Sequence, residues 1–106
     1  MKSEVVAVLV SAPDAETARR IGRTLVEERL AACVNVVPGV SSIYRWRGAV
    51  EEASEVLMLV KTRAARADAL AARVQALHPY ELPEVVVLPV RGGSRAYLQW
   101  VAAESR

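Results

Sequence analysis

Ser42-Ile43-Tyr44-Arg45-Trp46-Arg47-Gly48-Ala49-Val50 decides how this chain folds: an aromatic, strand-like run meets a lone glycine, and a second strand-like run leaves it. Gly48 supplies the backbone freedom of a tight turn, so the flanking runs pair as a β-hairpin. Its incoming arm extends back to Ala31 and opens with Cys33-Val34-Asn35-Val36-Val37. Pro38-Gly39 interrupts that arm as a bend or bulge, and the arm resumes through Ser42 to Arg47. The outgoing arm runs from Val50 to Lys61 and ends in the fully apolar Val56-Leu57-Met58-Leu59-Val60.

Outward from the hairpin, each side repeats one pattern. Upstream, Glu4 to Ser11 is apolar on both faces and reads as a central strand. Ala12-Pro13-Asp14 breaks it, and the Asp14 carboxylate can cap the exposed amides of a helix from Ala15 to Leu30. Ala18, Ile21, Leu25 and Val26 recur on its inward face. Downstream, Thr62 is placed to cap a helix from Arg63 to Leu77 with Ala67, Leu70, Val74 and Leu77 inward. Pro79 lacks an amide proton and drives His78 out of the helical region, so the helix stops there. Pro83 then precedes a strand from Glu84 to Val90, whose run Val85 to Leu88 reads as buried. Gly92-Gly93-Ser94 turns the chain into a short helix carrying Tyr97, Leu98, Trp100 and Val101. The order is βαββαβ plus a C-terminal helix, an α+β ferredoxin-like sandwich formed by one domain over residues 1–106.

The hairpin is too long for a small monomer. Its arms are two to three times the usual strand of roughly 5–6 residues, and an isolated two-stranded ribbon is marginal in water. The outer half, Ser41 to Ala53, projects roughly 20 Å past the sheet at ~3.4 Å per residue. It would hold Ile43, Tyr44 and Trp46 in water unless further copies of the chain cover them. A homo-oligomer is expected.

Composition narrows the function. The 106 residues are 53% hydrophobic with a net charge of +2. No run reaches the ~18 apolar residues of a membrane span. Met1-Lys2-Ser3-Glu4 and the short apolar run after it lack the pattern of a secretory signal. A single cysteine forms no intrachain disulfide, which favours the cytoplasm. Charges of both signs are interspersed and no block of five like charges occurs, so nucleic acid is not an expected partner. The chain has no phenylalanine, and its central strands offer valines where RNA-binding sheets stack bases. No Cys-x-x-Cys loop, phosphate-cradling loop or Ser-His-Asp set can be assembled around one histidine and Gly92-Gly93. A non-catalytic protein with no required cofactor is the expectation.

Several segments, in order and over nearly the whole chain, resemble the CutA divalent-cation tolerance proteins. They are Ala12-Pro13, Arg29-Leu30-Ala31-Ala32-Cys33-Val34-Asn35, Pro38-Gly39 and Ser42 through Gly48. Glu55, Leu57 to Thr62, His78-Pro79-Tyr80-Glu81, Pro83-Glu84 and Tyr97-Leu98-Gln99-Trp100 complete the set. The resemblance implies a homotrimer tied together by its hairpins, with a fold akin to the PII signalling proteins. It also implies a role in divalent-metal tolerance with copper(II) as the foremost ligand. Family members credited with copper binding carry a cysteine in the first strand and two histidines before the Pro-Tyr. The matching positions here are Val10 and Leu77-His78, so His78 alone is retained.

Each candidate residue has a chemical and a structural reading. The His78 imidazole can ligate a divalent metal, with Glu81 and Glu84 nearby, or it can be a helix-end histidine satisfied by a backbone carbonyl. Cys33 is a soft thiolate ligand if accessible and an inert core residue if buried. Alternation puts Glu55 and Lys61 on one strand face, as an anion site or as structural ionic groups. Tyr44, Trp46 and Trp100 either line a binding pocket or pack an interface. A sensor reading in the manner of PII proteins would use clefts between subunits lined by Tyr44, Arg45, Trp46, Glu55, Lys61 and Tyr80.

Overall fold

Strand β1 (Val5–Ala12) is the spine of the molecule, and β3 (Ala49–Arg63) and β4 (Val86–Pro89) pair antiparallel on its two sides. The computed structural model describes residues 4–106, so the reading of Met1-Lys2-Ser3 as part of no secretory signal lies outside it. The remaining elements are α1 (Ala15–Glu27), β2 (Cys33–Trp46), α2 (Ala67–Leu77) and α3 (Arg95–Glu104). The sheet order is β2-β3-β1-β4 with every neighbouring pair antiparallel, the expected α+β architecture.

Alternation along β1 and β3 builds two faces. Val6, Val8, Val10 and Ala12 join Val56, Met58 and Val60 beneath Ala18, Ile21 and Leu25 of α1 and Leu70 and Val74 of α2. Burying each such large apolar side chain stabilises the fold by roughly 1.5–3 kcal/mol, which makes this the main core. Helix α1 lies so close to β2 that a Cβ added at Gly22 would stand 3.0 Å from Val34 Cγ1. The opposite face carries the odd-numbered residues, and α3 covers one end of it, packing Val101 on Val5 and Ala32. The rest of that face is open.

Helix ends depart from the sequence reading for physical reasons. Asp14 caps α1 as expected, its carboxylate accepting from the Thr17 amide at 2.7 Å. That bond holds the Asp14 carboxyl below its ordinary pKa. At the other end α1 stops three residues before Leu30. Arg29 takes a left-handed φ of 60°, its amide donates to Val26 O, and the Leu30 amide donates to Leu25 O. This is a Schellman closure with arginine where glycine is usual, so no breaker residue marks it in the sequence. Val26, expected inward, is exposed. Thr62 does not cap α2: β3 continues through Arg63, a 3-10 turn over Ala64–Arg66 intervenes, and the Thr62 hydroxyl donates to Leu30 O at 2.7 Å. Ser94 does cap α3, accepting from the Tyr97 amide.

The hairpin is the long feature foreseen. Arg47 and Gly48 both have positive φ, 49° and 82°, the two-residue turn whose twist matches its strands. Across the Pro38-Gly39 bulge the register steps from Val37↔Leu57 to Val40↔Glu55, so β2 holds one extra residue. Beyond it the ribbon draws the molecule out to 44 Å, with Ile43 69% and Val50 63% exposed. The expected strand from Glu84 to Val90 is only Val86–Pro89, an edge strand with Val86, Val87 and Leu88 exposed rather than buried, while Val85 before it packs against the core.

Candidate functional site

The connector after α2 folds back onto the ribbon and forms a concavity with it. His78 leaves the helix in an extended conformation, as Pro79 requires. It is only 7% exposed, its Nε2 donates to Ser11 O at 2.7 Å, and its Nδ1 accepts the Tyr80 amide at 3.1 Å. The imidazole is therefore a neutral tautomer with both nitrogens committed to backbone, pinning the connector to the end of β1. Tyr80 then reaches β3, its hydroxyl donating to Glu55 Oε2 at 2.7 Å. Glu81 meets Arg47 of the hairpin turn at 3.0 Å. Two side-chain contacts thus fasten the connector along the ribbon, one at its base and one at its tip.

Between connector and ribbon lies a cleft of about 640 Å³ that contains Tyr44, Arg45, Trp46, Glu55 and Tyr80, together with Ser11, Ser42, Leu82, Glu81 and Glu84. The ladder sets which side chains share its ribbon face. Val40 stands opposite Glu55, Ser42 opposite Ala53, Tyr44 opposite Glu51 and Trp46 opposite Ala49, so Glu55, Ser42, Tyr44 and Trp46 lie on one face. Arg45 alternates to the other face and contributes to the rim. Burial, then the hydrogen bond to Glu55, pushes the Tyr80 phenol well above its ordinary pKa, so the hydroxyl stays a donor. Arg47 also stands 5.3 Å over the Trp46 ring, a cation on an aromatic face.

Five of the six residues expected in a cleft between subunits line this one, which is formed within a single chain. Lys61 does not: it lies six positions along β3 from Glu55, roughly 20 Å at ~3.4 Å per residue. There it stands opposite Cys33 and its Nζ donates to Asn35 Oδ1. Cys33 is half-buried, and the Tyr97 phenol, raised in pKa by burial and then by its hydrogen bond to Cys33, lies over it. Cys33 aligns through Lys61 with Ala7, whereas His78 sits by Ser11, so no Cys-His pair forms. Trp100 stacks near Tyr97 on α3, with ring centroids 5.5 Å apart, and belongs to no shared pocket with Trp46. Among the described residues no three His, Cys, Asp or Glu side chains converge to hold a metal ion. A closed chelate of the kind divalent metals prefer does not fit this donor set within one subunit. Ser11 and Leu82 join the cleft only through the folded connector, which the sequence does not place, whereas Ser42 lines it from the ribbon's own face.

Comparison with known proteins follows the same fold. A family profile described as CutA1 divalent ion tolerance protein matches residues 6–104. The chain is 56% identical over 94 residues to a divalent-cation tolerance protein CutA of Thermus thermophilus, covering 89% of this chain and 91% of that one. It is 50% identical over 97 residues to human Protein CutA, covering 92% of this chain and 54% of the human protein, so it spans about half the length of that relative. A solved divalent cation tolerance protein (Cut A1) from Thermus thermophilus superposes with a TM-score of 0.94 at 52% identity, over 96% of this chain and 99% of the other.

Proposed function

This chain belongs to the CutA1 divalent ion tolerance protein family, and we propose that it serves divalent-cation tolerance as a non-catalytic homotrimer in the cytoplasm. The observation that carries the assembly is the outer hairpin. Ile43 and Val50 stand in water at its end, and the apolar edge strand β4 is exposed to a lesser degree. Three copies that pair these edges would satisfy the ribbon's free backbone groups and cover Ile43 and Val50. The free Cys33 thiol is compatible with a reducing compartment, and cell fractionation tests that location.

Metal contact in this proposal is weak and exchangeable, with copper(II) the foremost ion. The donors offered to solvent are the Glu81 and Glu84 carboxylates, because His78 would have to give up a backbone hydrogen bond to coordinate. Calorimetric titration with copper(II) tests this. Wild type and His78→Ala should give the same shallow isotherm, and a tight site lost in His78→Ala would overturn the carboxylate assignment.

The cleft favours a second reading, a sensor that binds a small molecule or anion where the connector meets the ribbon. Its volume of about 640 Å³ lies in the range of roughly 300–1,000 Å³ typical of small-molecule sites. A ligand bound only by the native assembly must raise its melting temperature, so a thermal-shift panel of metabolites of both charges tests the idea. A panel without a saturable shift would discard it.

A further inference from the structure

We propose that the cleft between the Tyr80–Glu84 connector and the hairpin takes a small organic polycation, an alkyl diamine or polyamine, with one ammonium at Glu55, the chain along Tyr44 and Trp46, and a second ammonium at Glu84. The inference rests on the cleft being a ligand site and names the chemical class that it selects.

Three features converge on that class. Glu55 is only 9% exposed, yet its sole described hydrogen bond is the one from Tyr80 to Oε2. No cationic side chain forms a salt bridge with it among the described residues, and Oε1 has no hydrogen-bond partner among them. A largely buried side chain whose second carboxylate oxygen opens to the cleft favours a cation that enters there. The balance of charge is also acidic. Glu55, Glu81 and Glu84 all line the cleft, Glu81 is matched by Arg47, and the one lining arginine, Arg45, stands at the rim and forms no salt bridge with Glu55 or Glu84 among the described residues. Finally, the floor is aromatic. Tyr44 and Trp46 share the face of Glu55, and ring faces attract ammonium groups while their bodies cover methylenes.

The dispersion of the carboxylates separates this ligand from a metal ion. A divalent cation needs several donors within a few ångströms of one point, and no such group exists among the described residues. A flexible diamine needs charges at separate points joined by an apolar strip. The Tyr80 hydroxyl assists by holding the Glu55 carboxylate toward the cleft without neutralising it. Neutral diols of the same length lack the charge, and dicarboxylates would meet two uncompensated glutamates.

Calorimetry and thermal shift on the full chain in its native assembly test the proposal, with putrescine and spermidine as ligands and 1,4-butanediol and succinate as matched controls. Saturable binding of the amines, absence of binding by both controls, and at least ~10-fold weakening in Glu55→Gln are the expected results, as for loss of a desolvated charge partner. Glu84→Gln, on an exposed residue, supplies a second variant should Glu55→Gln fold poorly, and it should weaken spermidine binding more than methylamine binding. Succinate binding in place of the amines would overturn the polycation class while leaving the cleft a ligand site. No binding by any probe would overturn both readings. Amine binding indifferent to both substitutions would place the amines elsewhere on the surface and overturn the site.

Discussion

The two halves of one β-ladder are stabilised by different means. In the inner half, Val34 and Val36 stand opposite Val60 and Met58 and pack against the core beneath α1 and α2. In the outer half, Ile43 and Val50 project into solvent with no layer above them. Backbone pairing is continuous through both apart from a single bulge, so hydrogen bonding does not distinguish them. The difference is the company each half keeps: the first is buried by its own chain, and the second has apolar surface that only another molecule can cover.

Met58→Ala strikes the inner half and carries the largest expected loss. Met58 is fully buried between sheet and helices, and truncation should cost ~2–5 kcal/mol, read by chemical denaturation. A loss below ~1 kcal/mol would mean that the inner half is not the core described here. The paired change Ile43→Asp with Val50→Asp strikes the outer half. Each subunit should keep its far-ultraviolet circular dichroism spectrum, while light scattering reports particles of 11.5 kDa instead of a multiple of it. An unchanged multimer would show that the ribbon's tip is not what joins the copies.

His78→Ala tests the joint between the halves. It strands the Ser11 carbonyl and the Tyr80 amide, so stability should fall by ~1–3 kcal/mol. A neutral outcome would show that water replaces the ring readily. The smallest effect belongs to Asp14→Ala, far from the ribbon. The folded-state pKa of Asp14 lies below its ordinary 3.8, so its contribution is complete above that value and is lost as pH falls through the folded one. The melting temperatures of variant and wild type should therefore differ at neutral pH and draw together in acid. A gap that widened on acidification would assign the effect to another group.

Much of this could be read before any coordinates. Period-two and period-3.6 patterns, with Pro79 and Gly48 as punctuation, gave the element order because each states a backbone constraint locally. The end of α1 was hidden since Arg29 adopts the left-handed conformation without being glycine. Thr62 misled because a hydroxyl before a helix reads as a cap, whereas its partner Leu30 O is distant in sequence. Tyr44, Trp46, Glu55 and Tyr80 share a cleft within one chain, whereas the sequence reading sets them between subunits. Lys61 was added on strand parity alone, which fixes a face but says nothing of distance along it.

The extra residue at Pro38-Gly39 has a further effect. Before it, even-numbered residues of β2 share the helix-covered face with Val60 and Met58; after it, even-numbered Tyr44 and Trp46 share the face of Glu55. Deleting one residue at positions 38–39 would keep Val40 opposite Glu55 and Tyr44 opposite Glu51, so the lining side chains would stay while the bend and extra twist of the bulge were lost. Relatives that lack the extra residue should thus present the same side chains to the connector from a ribbon set at a different angle. The bulge sets the shape of the cleft and leaves its lining alone.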